Sequence, residues 1–159
     1  MTINFSYEKK QVIQALRYHF LSRPEIRIMI IVVNLFALLS AILFYLQHIT
    51  PFAFLVGSGL WFMLMIVFWI VLPGTVYKKA STFKDHFTMN FEEDQFSLGN
   101  ERGSRSWSWS ALSKFLETPN FFHLYFDSRS FFLVPKTAFA DRDEVFEMRQ
   151  ILKEKIKKK

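Results

Sequence analysis

Two long runs of apolar residues dominate the pattern of the chain. The first covers residues 28–46, with Asn34 and Ser40 as its only strongly polar members, and the second covers residues 52–72 without a charged side chain. Each run is about as long as the roughly 20 apolar residues that a helix needs to cross a bilayer core. Neither run has a polar face, and the rest of the chain is too short to wrap both. The pattern therefore favours two transmembrane helices over a buried hairpin in a soluble protein.

The positive charge around these runs predicts their orientation. Lysine and arginine precede the first run and follow the second, whereas residues 47–51 between the runs hold neither. Positively charged flanks stay on the cytoplasmic side, so both termini are expected in the cytoplasm. The predicted boundaries are 26–49 for the first span, 50–51 for a short extracytoplasmic turn and 52–74 for the second span. A cleaved signal peptide does not fit, because its apolar region is shorter and closer to the N-terminus.

Small and polar residues predict where the two helices meet. Small side chains let helix backbones approach closely in lipid, and an amide can form a hydrogen bond across the contact. Asn34 could instead mark a transport or proton site, but a single uncharged asparagine without an ionisable companion favours a packing contact. The residues predicted at this contact are Asn34, Ala37 and Ala41 of the first helix and Ala53 and Gly57 of the second.

Alternating polarity predicts β-strands on both sides of the apolar runs. Ile3, Phe5 and Tyr7 alternate with polar residues, and short alternating segments separated by turn residues follow the second run. Such closely spaced strands predict an antiparallel meander that could curl into a small barrel. The first strand has no neighbour nearby in the sequence, so we expect it to pair with the later sheet.

Helical spacing predicts two further helices outside the apolar runs. Residues 8–21 form an amphipathic pattern that ends before Pro24, and this helix lies either at a membrane surface or against the sheet. Asp141 and Glu144 match a capping box that begins a C-terminal amphipathic helix. The predicted organisation joins residues 1–25 to a cytoplasmic β-rich domain at residues 75–159, which makes the whole an α+β membrane protein.

The composition argues against several kinds of catalytic and metal site. Cysteine is absent, which excludes disulfides, thiolate metal sites and a cysteine nucleophile. The four histidines are scattered, and no phosphate-binding glycine loop, zinc-protease helix or hydrolase elbow is present. The acidic run at residues 92–94 favours a solvated turn over a carboxylate site. We therefore expect no enzymatic activity, no cofactor and no bound metal.

The formal net charge of +6 leaves nucleic acid and anionic lipid as candidate partners, and a membrane anchor favours lipid. Two tryptophans on one side of an alternating strand could stack on bases, but that spacing favours a core or a sheet-face patch, so no nucleic-acid partner is expected. The terminal lysines could contact an anionic leaflet or be simply solvated. The residues predicted to contact a partner or lipid are Arg105, Trp107, Trp109, Lys136, Arg142, Lys157, Lys158 and Lys159.

The order of these elements, together with two short motifs, resembles the YcxB-like family of bacterial membrane proteins. One motif is Trp109-Ser110-Ala111-Leu112, which is similar to a Trp-Ser segment of that family. The other is the apolar segment 131–134 followed by Pro135-Lys136 and Phe139. The resemblance implies a cytoplasmic domain similar to bacterial pleckstrin-homology-like (PH-like) barrels, without established catalysis. It offers no catalytic residue to transfer to this chain.

These patterns together lead to one functional hypothesis and one alternative. The hypothesis is a multi-pass protein of the bacterial inner (plasma) membrane whose PH-like domain binds a protein partner or anionic lipid. A homo-oligomer is a further possibility for the partner. The alternative is an immunity or envelope-stress protein that acts through its transmembrane hairpin.

Overall fold

A computed structural model describes residues 1–156 of the chain and shows a mixed α+β fold in two structural units. The hairpin unit comprises residues 16–79, and the β unit combines Met1–Ala15 with the chain from Ala80 onward. The helices are α1 Lys9–Ser22, α2 Pro24–Tyr45, α3 Pro51–Ile66, α4 Leu72–Lys79 and α5 Arg142–Lys155. The strands are β1 Thr2–Ser6, β2 His86–Phe91, β3 Gln95–Asn100, β4 Gly103–Ser108, β5 Lys114–Glu117, β6 Phe121–Tyr125 and β7 Phe131–Pro135.

Two helical stretches of the hairpin unit, Pro24–Tyr45 and Pro51–Lys79, are long and apolar enough to cross a membrane. Pro24 and Pro51 begin these stretches, because proline has the backbone angle of a helix and needs no donor at the first helical position. None of the apolar window in either stretch is buried within the protein. The hydrophobic pattern of the sequence therefore corresponds to two continuous helices with outward-facing apolar side chains.

The connection between α2 and α3 differs from the predicted turn at residues 50–51. The helix α2 ends at Tyr45, and Gln47 adopts a left-handed backbone with φ of 59°, which cannot continue a right-handed helix. Thr50 caps the next helix, since its side chain accepts a hydrogen bond from the Ala53 backbone N–H at 3.2 Å. The connection therefore occupies residues 46–50, and Pro51 belongs to the helix.

The second stretch changes its helical geometry near its end. Pro73 cannot supply the N–H that the Trp69 carbonyl would accept in a regular helix, and residues Val67–Val71 adopt π-helical geometry. The Arg17 side chain of α1 donates its Nε–H to the Trp69 carbonyl at 2.9 Å. The Arg17 guanidinium also lies 5.9 Å from the centre of the Trp69 ring. Arg17 thus satisfies a carbonyl at the irregular part of the helix.

Two antiparallel sheets form the β unit. One sheet has the strand order β1-β2-β3-β4 and the other has the order β5-β6-β7. The first strand pairs with β2 in a register that places Ile3 opposite Met89 and Phe5 opposite Phe87. This pairing confirms the prediction that the N-terminal strand joins the later sheet.

The two sheets and α5 share one hydrophobic core. The buried side chains include Met89 and Phe96 from the first sheet, Leu124 from the second, and Met148 and Leu152 from α5. The sheets are not joined by a strand ladder within residues 1–156, because a helical turn at Trp109–Ala111 separates β4 from β5. The edge of the first sheet at β4 therefore remains without a further strand.

Candidate interaction surface on strand β4

Strand β4 is one of the two edge strands of the first sheet, opposite β1, and its side chains are mostly exposed. A tight turn at Glu101 and Arg102 connects it to β3, with Asn100 paired to Gly103. The Asn100 side chain accepts a hydrogen bond from the Arg102 backbone N–H at 2.9 Å. Gly103 has φ of 146°, a conformation that L residues rarely adopt, so glycine is required where the strand begins.

Arg105 and Trp107 lie on the same face of β4 and form a cation–π pair. The Arg105 guanidinium carbon is 5.4 Å from the centre of the Trp107 ring. Trp107 is half-buried and contacts Phe126 at 5.8 Å and Phe132 at 5.1 Å between ring centres. Arg105 is exposed. The core therefore holds the indole in place, and the indole supports a positive charge at the rim of the sheet.

Trp109 occupies a different environment from Trp107. Its side chain is only 4% exposed, and its indole N–H donates to the Glu92 carbonyl at 3.1 Å. The ring also packs against Phe96 at 5.2 Å. Trp109 is thus a core residue, which removes it from the predicted contact surface. Trp107 packs against the same Phe96 ring at 5.7 Å, but it stays half-buried, whereas Trp109 lies in the helical turn after the strand and is fully covered.

Lys136 is engaged within the fold rather than presented to a ligand. Its ammonium group donates to the Glu117 carboxylate at 2.7 Å, and Arg149 donates to the same carboxylate twice, each time at 2.7 Å. The hydrogen bonds from Arg149 make the largest contribution to lowering the pKa of Glu117, and the hydrogen bond and positive charge of Lys136 add to it. Together they lower this pKa to about 2. This ion cluster connects β5 to α5. Sequence reasoning missed Glu117 and Arg149, because no local motif relates residues so far apart.

The remaining predicted cations have separate locations. Arg142 is exposed in the first turn of α5, where the Asp141 side chain caps the helix by accepting from two backbone N–H groups at 2.9 Å. Lys157, Lys158 and Lys159 lie outside the described residues. Arg105 is therefore the predicted cation that the structure places on the exposed edge of the first sheet.

The predicted helix contact lies inside the hairpin unit. The Trp61 indole N–H of α3 donates to the Asn34 side-chain oxygen at 3.3 Å, and the Asn34 amide donates to the Ile30 carbonyl at 2.8 Å. Asn34, Ala37, Ala41 and Gly57 all line one apolar groove along α2 and α3. Ala53 does not line this groove, because it lies exposed in the first turn of α3 next to the connection.

A shallow polar cleft lies along β1 and β2, and it shows no catalytic pairing. Its polar side chains include Asn4, which accepts a hydrogen bond from the Thr88 hydroxyl at 2.6 Å, and the exposed His86. Within residues 1–156, no group of three or more histidine, aspartate or glutamate side chains could hold a metal ion. We call the exposed edge strand β4 with its Arg105–Trp107 pair the β4 surface.

The model of the YcxB-like protein family matches residues 91–152 of the chain. This segment begins at the end of β2 and reaches into α5, so it contains the β4 surface and the Glu117 ion cluster. The resemblance predicted from the sequence is thus confirmed over this segment. No curated protein and no solved structure matches the chain.

Proposed function

Starting from this YcxB-like segment, we propose that the protein is a non-enzymatic interaction module anchored in the bacterial inner membrane. In this proposal the two apolar helices are the anchor and the PH-like β unit binds a partner protein through the β4 surface. The observation that carries the proposal is the exposed Arg105 beside the half-buried Trp107 on an unpaired sheet edge, in a chain that also holds two helices long and apolar enough to span a bilayer.

The exposed apolar surface of the hairpin unit supports membrane insertion. The helix α2 has 22 residues, which at about 1.5 Å per residue match the roughly 30 Å of a bilayer core. Phe36 and Phe62 are more than 60% exposed on these helices. Each large apolar side chain left in water forgoes about 1.5–3 kcal/mol of burial free energy, so lipid is the solvent that suits this surface.

The charges at the helix ends support an orientation with both termini in the cytoplasm. Arg23 and Arg27 lie at the start of α2, and Lys78 and Lys79 lie in the last turn of α4. The connection at residues 46–50 contains no lysine or arginine. The positive-inside rule then places the β unit on the cytoplasmic side.

The architecture and the exposed residues of the β unit support the binding role in this proposal. Its two sheets with a common core and a C-terminal helix agree with the PH-like domain that the family resemblance implies. Tryptophan and arginine are enriched at protein interfaces, because an aromatic ring supplies contact area and a guanidinium supplies directed hydrogen bonds. Arg105 and Trp107 offer both properties on one face of β4.

The absence of cysteine makes the membrane part of this proposal directly testable. Each cysteine introduced into the chain is unique, so Gln47→Cys and Ser106→Cys can be labelled separately with a maleimide that does not cross membranes. We expect labelling of the Gln47→Cys variant in spheroplasts with an intact inner membrane, and of the Ser106→Cys variant only after that membrane is opened. Labelling of both variants before opening, or recovery of the chain in the soluble fraction without detergent, contradicts the proposal.

A further inference from the structure

The edge of β4 carries backbone groups that no strand of the described chain uses. Strand β4 ends the first sheet and pairs with β3 alone among the described strands. Such an edge presents a row of N–H and C=O groups that can pair with an added strand. The β4 surface can therefore bind an extended segment through these backbone groups.

The register identifies which backbone groups point outward. A two-residue turn joins the paired residues Asn100 and Gly103, and hydrogen-bonded and non-bonded pairs alternate from there along an antiparallel hairpin. Gly99 and Ser104 form the next, non-bonded pair, which agrees with their close approach: a Cβ added at Gly99 would lie 3.3 Å from the Ser104 Cβ. The alternation directs the backbone groups of Ser104, Ser106 and Ser108 away from β3.

The side chains of β4 leave this edge accessible. Natural edge strands are protected by proline, bulges, charged side chains or a covering element, and of these β4 carries a single charge, Arg105, which repels a positively charged strand but not an acidic one. Strand β4 reads Gly-Ser-Arg-Ser-Trp-Ser, contains no proline, and is exposed at every position except the half-buried Trp107. The serine side chains are too small to cover the backbone groups beside them.

The chemistry beside the edge determines the kind of strand that fits. Arg105 takes part in none of the ion pairs within residues 1–156, and it shares a face with Trp107 and the half-buried Phe126 and Phe132. Residues two apart on a strand share a face, so a carboxylate opposite Arg105 and an apolar side chain opposite Trp107 would complement this rim. A second copy of β4 would bring another arginine instead of a carboxylate.

We propose that β4 binds an extended, carboxylate-bearing segment of a partner protein as an additional strand of the first sheet. The proposal rests on the interaction function proposed above and specifies its mode and its partner chemistry. The backbone groups of Ser104, Ser106 and Ser108 supply the ladder, and Arg105 and Trp107 select the side chains. A lipid headgroup could contact Arg105 but cannot form hydrogen bonds along the backbone of β4 as a strand does. Removal of an outward N–H therefore weakens binding of a strand but not binding of a lipid.

Photo-crosslinking in native membranes tests the proposal with the full chain. A photoreactive amino acid replaces Ser104, and the yield of protein adducts is compared among variants of the edge. Ser106→Pro removes an outward N–H without touching the ladder to β3, and Ser106→Ala is its matched control. Arg105→Glu reverses the selecting charge, and Arg142→Glu makes the same charge change at an exposed arginine of α5, outside β4. Circular dichroism of each purified variant verifies the fold.

We expect a protein adduct whose crosslinked segment contains aspartate or glutamate. Its yield falls by about tenfold or more in Ser106→Pro and Arg105→Glu and stays unchanged in Ser106→Ala and Arg142→Glu. An adduct that survives Ser106→Pro, an adduct with a second copy, an adduct with lipid alone, or no protein adduct overturns strand addition. A protein adduct that survives Ser106→Pro overturns strand addition but leaves the proposed interaction function in place, whereas the absence of any protein adduct overturns both. The cysteine-labelling pattern tests the membrane part of the proposed function independently.

Discussion

Replacement of Glu117 by glutamine should destabilise the β unit in a way that depends on pH. Glu117 of β5 accepts hydrogen bonds from Lys136 and, through two atoms, from Arg149 of α5. These contacts lower its pKa from 4.5 to about 2. At about 1.4 kcal/mol per pH unit, the change corresponds to at most about 3.5 kcal/mol. The side chains of all three residues are 19–28% exposed, and screening by water reduces the expected effect to about 1–2 kcal/mol.

The sign of the pH dependence follows from the direction of the change in pKa. A carboxyl group with a lowered pKa in the folded state stabilises the fold fully above its unfolded value of 4.5. This contribution is lost as the pH falls from about 4.5 toward about 2, because the carboxylate becomes protonated. The Glu117→Gln variant has no group to protonate at this position. Its stability deficit relative to wild type should therefore be largest near neutral pH and should shrink in acid.

Thermal unfolding of the full chain in a non-ionic detergent measures this difference. Near-ultraviolet circular dichroism follows the packing of aromatic side chains, which are abundant in the core of the β unit, and the measurement is repeated from about pH 6 to about pH 2. Glu93→Gln is the matched control, because Glu93 is exposed between β2 and β3, and it should follow the wild-type curve. If Glu117→Gln lost stability in acid as steeply as wild type does, the ion cluster would not stabilise the fold and Lys136 would again be a candidate ligand contact.

Two further predictions concern the hairpin unit. Arg17→Ala removes a hydrogen bond worth about 1–2 kcal/mol, so it should lower the melting temperature in detergent and speed amide exchange around Trp69. Arg27→Ala is the control and should leave amide exchange at Trp69 unchanged. Equal exchange in both variants contradicts the role of Arg17. Asn34→Ala and Trp61→Phe should each cost about 1 kcal/mol in a detergent unfolding assay, and the double variant should cost little more than either, because both single changes remove the same hydrogen bond. Additive costs would show that Asn34 and Trp61 act independently.

The sequence predicted the secondary structure well where side-chain periodicity reports a buried face. Ile3 and Phe5 alternate with exposed residues because one face of β1 covers the core, and this alternation is visible without a structure. The apolar helices are equally visible, since their composition contains almost no polar side chain. A pattern that repeats along one element can be read from the sequence of that element alone.

The candidate site was less predictable, because its geometry depends on where elements end and on residues far apart in the chain. The alternation of β4 placed Trp107 and Trp109 on one side, and both rings do pack against Phe96, but the alternation did not show that the strand ends at Ser108 and that the following turn covers Trp109 fully. Lys136 resembled a free basic residue until the fold brought Glu117 beside it. The periodicity of side chains along one strand reports neither where that strand ends nor which distant residue packs beside it.

The backbone irregularities of the hairpin unit show the same limit. Hydropathy continues smoothly through Pro73, yet the preceding turn becomes π-helical and its Trp69 carbonyl accepts from Arg17. The sequence contains both Pro73 and Arg17 but does not reveal that they act on one carbonyl. A proline inside an apolar helix signals a carbonyl that needs another donor, and only the tertiary structure identifies that donor.

The short length of β4 argues that the proposed strand addition depends on the proposed membrane anchor. A strand of 6 residues offers only a few outward backbone groups, and each net hydrogen bond contributes about 0.5–1.5 kcal/mol. Part of that gain is offset by the entropy lost when an extended segment becomes ordered. Confinement of both proteins to one bilayer raises their effective concentration and compensates for a weak individual contact. A partner embedded in or attached to the same membrane is therefore the kind of protein for which a short, accessible sheet edge is sufficient.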